Sequence, residues 1–419
     1  MLLVLSIVLA AIAASVVWLL WARSRRKHVH FPVPPGAHID TLIRSFAALT
    51  WGYLTDGNRV TVVQNSGFFD ALLADVAGAQ RSVHLETFLW QDGHVSDRVA
   101  ATLADKAREG VAVRVLVDQR GAAKTSPRVW AQLRTAGCEF RVYHRMRLRE
   151  LAWANNRDHR KIAVIDGRIG YTFGHGIADM WGASEHQPTG WRDTAARIEG
   201  PAVNHLQAAF LDNWVKVTRE ALIGDEYFPE PHRPGDTRVH VAWIAQPETI
   251  SSVRRLYELA ISAAKREIIL QNPYFIPSQR AINLCAAAVA RGVEIKLMLP
   301  TATTSDFAVV QHASHAHYGQ LLAAGARIFE YTRSGIHQKV MIIDREWCTI
   351  GSTNFDPRSF NINDEISVAI YDAAIAQELA AEFETDLTGA EEWTLERFHG
   401  RTPWHRVVDA VSTIGKRQL

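Results

Sequence analysis

HRKIAVID (residues 159–166) and HQKVMIID (residues 337–344) share the pattern His-x-Lys-x-x-x-x-Asp, 178 positions apart. The β-branched run inside each copy predicts a strand, and on a strand alternate side chains share a face. His159 and Lys161 therefore point together, as do His337 and Lys339. Asp166 and Asp344, seven residues from their histidines, point the other way and read as braces. Two such strands brought together would put two imidazoles and two ammonium groups around one small volume.

The surroundings of the two copies match as well. RSVHLETF from Arg81 answers REIILQNPYF from Arg266, GVAVRVLV from Gly110 answers GVEIKLML from Gly292, and AGCEFRVY from Ala136 answers AGARIFEY from Ala324. Self-similarity at a nearly fixed offset marks an internal duplication, placed at residues 60–225 and 240–390. In each copy a helical stretch, SDRVAATLADKAREG or SQRAINLCAAAVARG, precedes a Gly-Val strand, which is a βαβ arrangement. The motif strands run through Asp166-Gly167 and Asp344-Arg345-Glu346 into RIGYTF and WCTIG, so hairpins are expected. The expected fold is α/β: two tandem α/β sandwich repeats related by a pseudo-twofold axis, with the site between them. Glu86 and Gln271 occupy equivalent positions in the repeats and are candidate site residues.

The first copy carries ten extra residues before its motif, in HRMRLRELAWANNRD. Arg145, Arg147 and Arg149 there, beside Trp153, make either a solvated loop or a headgroup-binding one at an interface.

Outside the repeats, residues 2–22 hold no charge, and 21 helical residues span about 31 Å, enough for a bilayer core. Trp18 and Trp21 stand at one end, followed by the basic flank RSRRK. A transmembrane anchor is expected there rather than a cleaved signal peptide, whose basic residues would precede a shorter apolar run, with the body on the cytoplasmic side by the positive-inside rule. Residues 23–59 form a juxtamembrane linker and a helix, whose stripe Ile39, Leu42, Ile43, Phe46 and Leu49 suits either core packing or a membrane surface. Residues 391–419 are a C-terminal extension.

A net charge of +2, from 46 basic and 44 acidic residues, gives no sign of an extended nucleic-acid-binding surface. The three cysteines, Cys138, Cys285 and Cys348, are too far apart in sequence for a zinc-ligand spacing and read as buried thiols. No metal-binding motif is present, so neither metal nor cofactor is expected.

Two histidines and two lysines suit phosphodiester chemistry. One imidazole attacks phosphorus, the other protonates the departing alkoxide, and the lysines stabilise charge on the non-bridging oxygens. The duplicated motif, with HLETFLW, WRDTAARIEGPAV, QNPYFIP and GSTNFDPRSFNINDE, resembles the phospholipase D superfamily and, within it, bacterial cardiolipin synthases, over residues 60–390. The resemblance implies His159 as nucleophile and His337 as general acid. It places Ser352 and Asn354 near the phosphate, and Asp193 and Glu365 on the imidazoles. It also implies a bacterial inner-membrane phosphatidyltransferase joining two phosphatidylglycerol molecules; a hydrolytic phospholipase D and a nuclease are the alternatives. The first repeat departs from the family pattern at Phe173-Gly174-His175-Gly176, where Gly176 stands at an Asn position.

Overall fold

The computed structural model describes residues 37–412 except 38, 51, 144–154, 184–189, 245–250 and 306, together with residues 6, 14 and 15. Most of the expected anchor at 2–22, the proline-containing linker up to residue 36, and Arg145, Arg147 and Arg149 lie outside the described residues. Among the described residues no helix is long and apolar enough to cross a membrane.

The first repeat builds β1 (Tyr53–Gln64), α2 (Gly67–Ala77), β2 (Ser82–Thr87), α3 (His94–Arg108), β3 (Ala112–Asp118), α4 (Pro127–Thr135), β4 (Glu139–Tyr143), β5 (Ile162–Ile165), β6 (Ile169–Phe173), β7 (Thr194–Glu199) and α5 (Val203–Thr218). The second repeats the series as β8 (Thr237–Ile244), α6 (Ser252–Ala263), β9 (Glu267–Gln271), α7 (Gln279–Ala290), β10 (Glu294–Pro300), α8 (Ala308–Ala323), β11 (Arg327–Tyr331), β12 (Val340–Ile343), β13 (Trp347–Gly351), a short α9 (Pro357–Asn361), β14 (Glu365–Tyr371) and α10 (Ala373–Leu387). Before them lies α1 (Ile39–Thr50); after them come β15 (Ala390–Trp393), α11 (Leu395–His399) and α12 (Pro403–Ser412).

The strand order is β15-β11-β10-β9-β12-β13-β14-β8-β1-β7-β6-β5-β2-β3-β4, so apart from β15 the two halves mirror one another about the β8–β1 pair. The repeats are therefore joined in one continuous sheet of 15 strands, and the described residues from 37 to 412 cluster as a single unit. Strand β1 makes the join. Its first part pairs with β8 and its second with β7, and the register shifts between Thr55 and Asn58. Gly57, at φ +86, supplies the left-handed residue that this bend requires. Beyond the join the sheet folds back, bringing β13 against β6 and β7.

One core cluster fills the space between the folded halves, with Ile162, Val164 and Ile198 facing Ile342, Ile350 and Val368. Helices α5 and α10 contribute Leu206, Leu379 and Phe383 to the same layer. On the outer side of the first half, α2, α3 and α4 bury Phe68, Leu72, Val99, Leu103 and Leu133 against Val83, Val115 and Ala163. In α1 the stripe meets core: Ile39, Ile43 and Phe46 are buried and the helix packs on α6, while Leu49 is exposed.

Each motif strand ends in a tight hairpin. Asp166 and Gly167 (φ +54, +65) and Asp344 and Arg345 (φ +55, +55) take the paired left-handed conformations of a type I′ turn. The Asp166 carboxylate accepts from the backbone N–H groups of Gln80, Arg81 and Ser82 at 2.8–2.9 Å. Asp344 does the same for Lys265, Arg266 and Glu267 at 2.7–3.0 Å. Both acids brace the far ends of their strands, at β2 and β9.

Candidate active site

Each motif histidine lies just ahead of its strand, in a segment that pairs with the other repeat. The His159 backbone N–H donates to the Asp364 carbonyl at 3.0 Å, and Asp364 returns a bond to the Arg157 carbonyl at 2.8 Å. In mirror fashion His337 donates to the Arg192 carbonyl and Arg192 to the Gly335 carbonyl, both at 2.8 Å. These bridges carry the next residue of each partner segment onto the foreign imidazole. His159 Nδ1 lies 2.9 and 3.0 Å from the Glu365 carboxylate, and His337 Nδ1 lies 3.1 Å from Asp193 Oδ2. Along the chain Asp193 follows His159 and Glu365 follows His337; in space the partners are exchanged.

The electrostatics of the two pairs differ. Burial pushes His159 down to about 4, helped by Lys161 and Lys339 and opposed by Glu365. At neutral pH its ring is neutral, and a Nδ1–H donated to Glu365 leaves the Nε2 lone pair free. Burial alone would raise the Glu365 carboxyl, but His159, Lys161 and the Ser352 hydroxyl (2.5 Å) hold it below the usual range. Burial would also raise Asp193, yet His175, His337 and Lys339 bring it to about 2. Asp193 further accepts from Trp181 Nε1 and the Thr194 N–H, both at 2.9 Å.

Both lysines are buried. Lys161 Nζ donates to the His159 carbonyl at 3.1 Å. Lys339 Nζ donates to the His337 carbonyl at 2.5 Å and lies 2.7 and 3.0 Å from the two ring nitrogens. An ammonium so close to both nitrogens is in line with neither lone pair; it rests against the ring.

The departure in the first repeat has a structural counterpart. Gly174 stands where the second repeat has Ser352, and a Cβ there would come within 2.1 Å of Asp193 Oδ1. The Trp181 indole N–H takes over the bond that the Ser352 hydroxyl makes to Glu365. Gly176 stands at the position of Asn354, and a Cβ there would meet Leu89 and Trp181 at 2.8 Å. Hence Asn354, buried and with its Oδ1 unbonded, has no counterpart in the first repeat. His175 is a packed ring: Nε2 lies 2.8 Å from the Asn65 carbonyl, the ring stacks on Phe68 at 4.4 Å, and burial pushes it down to about 4.

Glu86 and Gln271 lie behind the site. Glu86 accepts from Asn213 at 2.8 Å and neighbours Asp158 and Arg160. Burial, reinforced by Asp364, raises its carboxyl to about 7 against the pull of Arg160, Asp158 and Asn213. Gln271 donates to Asp386 at 3.2 Å, and Asp386 in turn pairs with Arg192 at 2.8 Å. Each therefore supports the segment next to a catalytic candidate rather than facing it. Sequence reasoning passed over the aromatic walls: Phe88 meets His159 edge-on at 5.1 Å, and Trp181 meets His337 edge-on at 5.2 Å. Phe88 belongs to HLETFLW, whose likeness to the family was noted without assigning its ring a place.

A family model described as cardiolipin synthase, PLD-like domain matches residues 72–185 and 257–387, one segment in each repeat. The chain belongs to this family. Among the relatives of the cardiolipin synthase family, the major cardiolipin synthase ClsA of Bacillus subtilis (strain 168) is 31% identical over 364 residues, covering 86% of this chain and 75% of that protein. A cardiolipin synthase of Geobacillus sp. (strain WCH70) is 34% identical, with 83% and 69% covered. Among solved structures, the phosphatidylserine synthase of Haemophilus influenzae Rd KW20 superposes with a TM-score of 0.66 at 12% identity, over 90% of this chain and 99% of that one. At that identity the likeness shows the fold alone.

Proposed function

We propose that the protein is a phosphatidyltransferase that makes cardiolipin from two phosphatidylglycerol molecules and releases glycerol. The crossed histidine–carboxylate pairs carry this reading. They engage each imidazole at Nδ1, so that the Nε2 atoms, one from each repeat, are the ones offered to a single phosphodiester once Lys339 turns from the His337 ring to the phosphate.

His159 Nε2 attacks the phosphorus of the first lipid as the bond to the glycerol headgroup breaks. Its positive charge is met by Glu365. His337, paired with an Asp193 that stays ionised at any working pH, gives its Nε2 proton to the departing glycerol oxygen. A hydroxyl of the second lipid's headgroup then gives a proton back to His337 and attacks the phosphohistidine, releasing His159 and cardiolipin. Lys161, Lys339 and the amide of Asn354 stabilise charge on the non-bridging oxygens. A bound phosphate gives Lys339 a better partner than the ring it rests against. Asp166 and Asp344 act at a distance, by fixing the motif strands. Water is present at about 55 M, so transfer outruns hydrolysis because the acceptor hydroxyl is held in place, where effective molarities reach far higher.

The uncharged run at 2–22 and its basic flank support a single-pass anchor in the bacterial inner membrane with the catalytic unit on the cytoplasmic side. Arg145, Arg147 and Arg149 are proposed to hold the acceptor's headgroup phosphate. The test uses phosphatidylglycerol vesicles with the full chain. The expected products are cardiolipin and glycerol, with little phosphatidic acid. Phosphatidic acid as the main product replaces the synthase by a hydrolase.

A further inference from the structure

Among the described residues, one cluster of three histidine and carboxylate side chains is close enough to share a metal ion: His312, His315 and Asp409, with ligand atoms within 4.8 Å of one another. It joins the second repeat to the C-terminal extension, where α12 packs on α8. His312 Nδ1 is 2.9 Å from Asp409 Oδ1, and His315 Nδ1 is 3.8 Å from the same oxygen.

The outer partners fix the chemistry. His315 Nε2 lies 2.7 Å from Glu330 Oε1, which also accepts from Gln311 at 2.9 Å and Tyr318 at 3.1 Å. A carboxylate only accepts, so Nε2 carries the proton. The lone pair of a neutral His315 then sits on Nδ1, facing the Asp409 oxygen across a gap too long for a hydrogen bond. Against the pull of burial, Asp409 and Glu330 raise His315 above the ordinary imidazole value, so without a metal a proton on Nδ1 meets Asp409, and a metal ion would take that proton's place. Asp409 Oδ2 is held by Arg401, which leaves Oδ1 turned to the histidines.

We propose that His312 Nδ1, His315 Nδ1 and Asp409 Oδ1 bind a zinc ion that fastens the C-terminal helix to the second repeat. Two imidazoles and a carboxylate are a donor set that zinc takes readily. On a tetrahedral zinc, ligand atoms about 2.0–2.1 Å from the metal stand roughly 3.3 Å apart, a spacing that the 2.9 and 3.8 Å separations bracket. Glu330 and Arg401 are the outer contacts that orient such ligands. The helix needs a fastening: Trp404 is 71% exposed, Val407 52% and Val411 58%, while Asp409 is buried. The ion takes no part in phosphoryl transfer.

The full chain, purified without a polyhistidine tag and stripped with a chelator, is dialysed against zinc and then against metal-free buffer. About one zinc per chain is expected to remain, the melting temperature to rise on zinc addition, and cobalt to give the visible absorption of a tetrahedral site. His312→Gln keeps a polar side chain on α8 and is expected to keep turnover, which shows that it is folded, while zinc affinity falls by about tenfold or more. His312→Ala/Asp409→Ala is expected to retain no zinc. Zinc retained equally by wild type and folded His312→Gln, or by neither, overturns the assignment.

Discussion

Replacing Glu365 with Gln removes the charge that faces His159, and the loss can be sized from the geometry. The carboxylate is fully buried, and its oxygens lie 2.9 and 3.0 Å from His159 Nδ1. As the imidazole attacks phosphorus it becomes cationic. With charge centres roughly 4 Å apart and an effective dielectric constant near 20, the attraction is about 4 kcal/mol. That corresponds to about a thousandfold in rate. A Gln that keeps the hydrogen bond through its carbonyl recovers part of this, so a fall of about 10²- to 10³-fold is expected. The change also leaves the buried Lys161 ammonium with less counter-charge, so a melting temperature taken alongside separates lost folding from lost turnover. The assay is the burst of p-nitrophenolate from a lipid carrying that headgroup, a leaving group that needs no proton. Asp193→Asn weakens His337, the acid, so its burst on this substrate approaches wild type. Glu365→Gln weakens the nucleophile, and its burst stays slow. Equal rescue of both variants, or rescue of Glu365→Gln alone, refutes the exchanged pairing.

His159→Ala and His337→Ala each remove nearly all turnover, since nucleophile and acid act as a unit; acid-quenched reactions with labelled lipid should leave label on His159 in wild type and none in His159→Ala. Asp344→Ala strips three backbone N–H groups of their acceptor and is expected to cost about 3 kcal/mol in denaturant titrations, with activity kept while the protein stays folded; an inactive but folded variant gives Asp344 a direct part in the chemistry. His84, His159, His175 and His240 are held near 4 by burial, against 6.5 when unfolded. The unfolded chain therefore binds more protons between those values. Stability is full above pH 6.5 and lost as pH falls toward 4, so a melting temperature that stays flat across that window contradicts these assignments. Chelators are expected to leave turnover unchanged below the melting temperature, since the lysines do the charge stabilisation; loss of activity restored by one metal points to a metal in the mechanism.

The duplication was legible because β-strands and their flanking helices keep their spacing after fusion, and repeated text such as GVAVRVLV and GVEIKLML shows it directly. The grouping of His159 with Lys161 followed from strand periodicity alone. The exchange of Asp193 and Glu365 was not legible, because it depends on isolated bridges between repeats, Asp158 to Asp364 and Arg192 to Ile336, and sequence offsets say nothing of such contacts. Strand β1 was hidden for a related reason. It begins at Tyr53, ahead of the expected start at residue 60, and its TDGN stretch is the bend at which one strand changes partner. Trp181, outside both motifs, enters the site through a 3₁₀ turn (Asp179–Trp181) that no periodicity announces.

The exchange of acids also bears on how such a chain can diverge. A polypeptide cut in the loop between α5 and β8 would part each imidazole from the carboxylate that orients it, so neither fragment holds a complete pair on its own. A substitution at residue 365 is felt by a histidine of the other half, and one at residue 193 likewise. Recombination that replaces one repeat with a diverged copy must therefore deliver an acid whose length and hydrogen-bond donor suit a foreign ring: Glu with Ser352, or Asp with Gly174 and Trp181. The two halves can drift apart in sequence, but only as a matched pair.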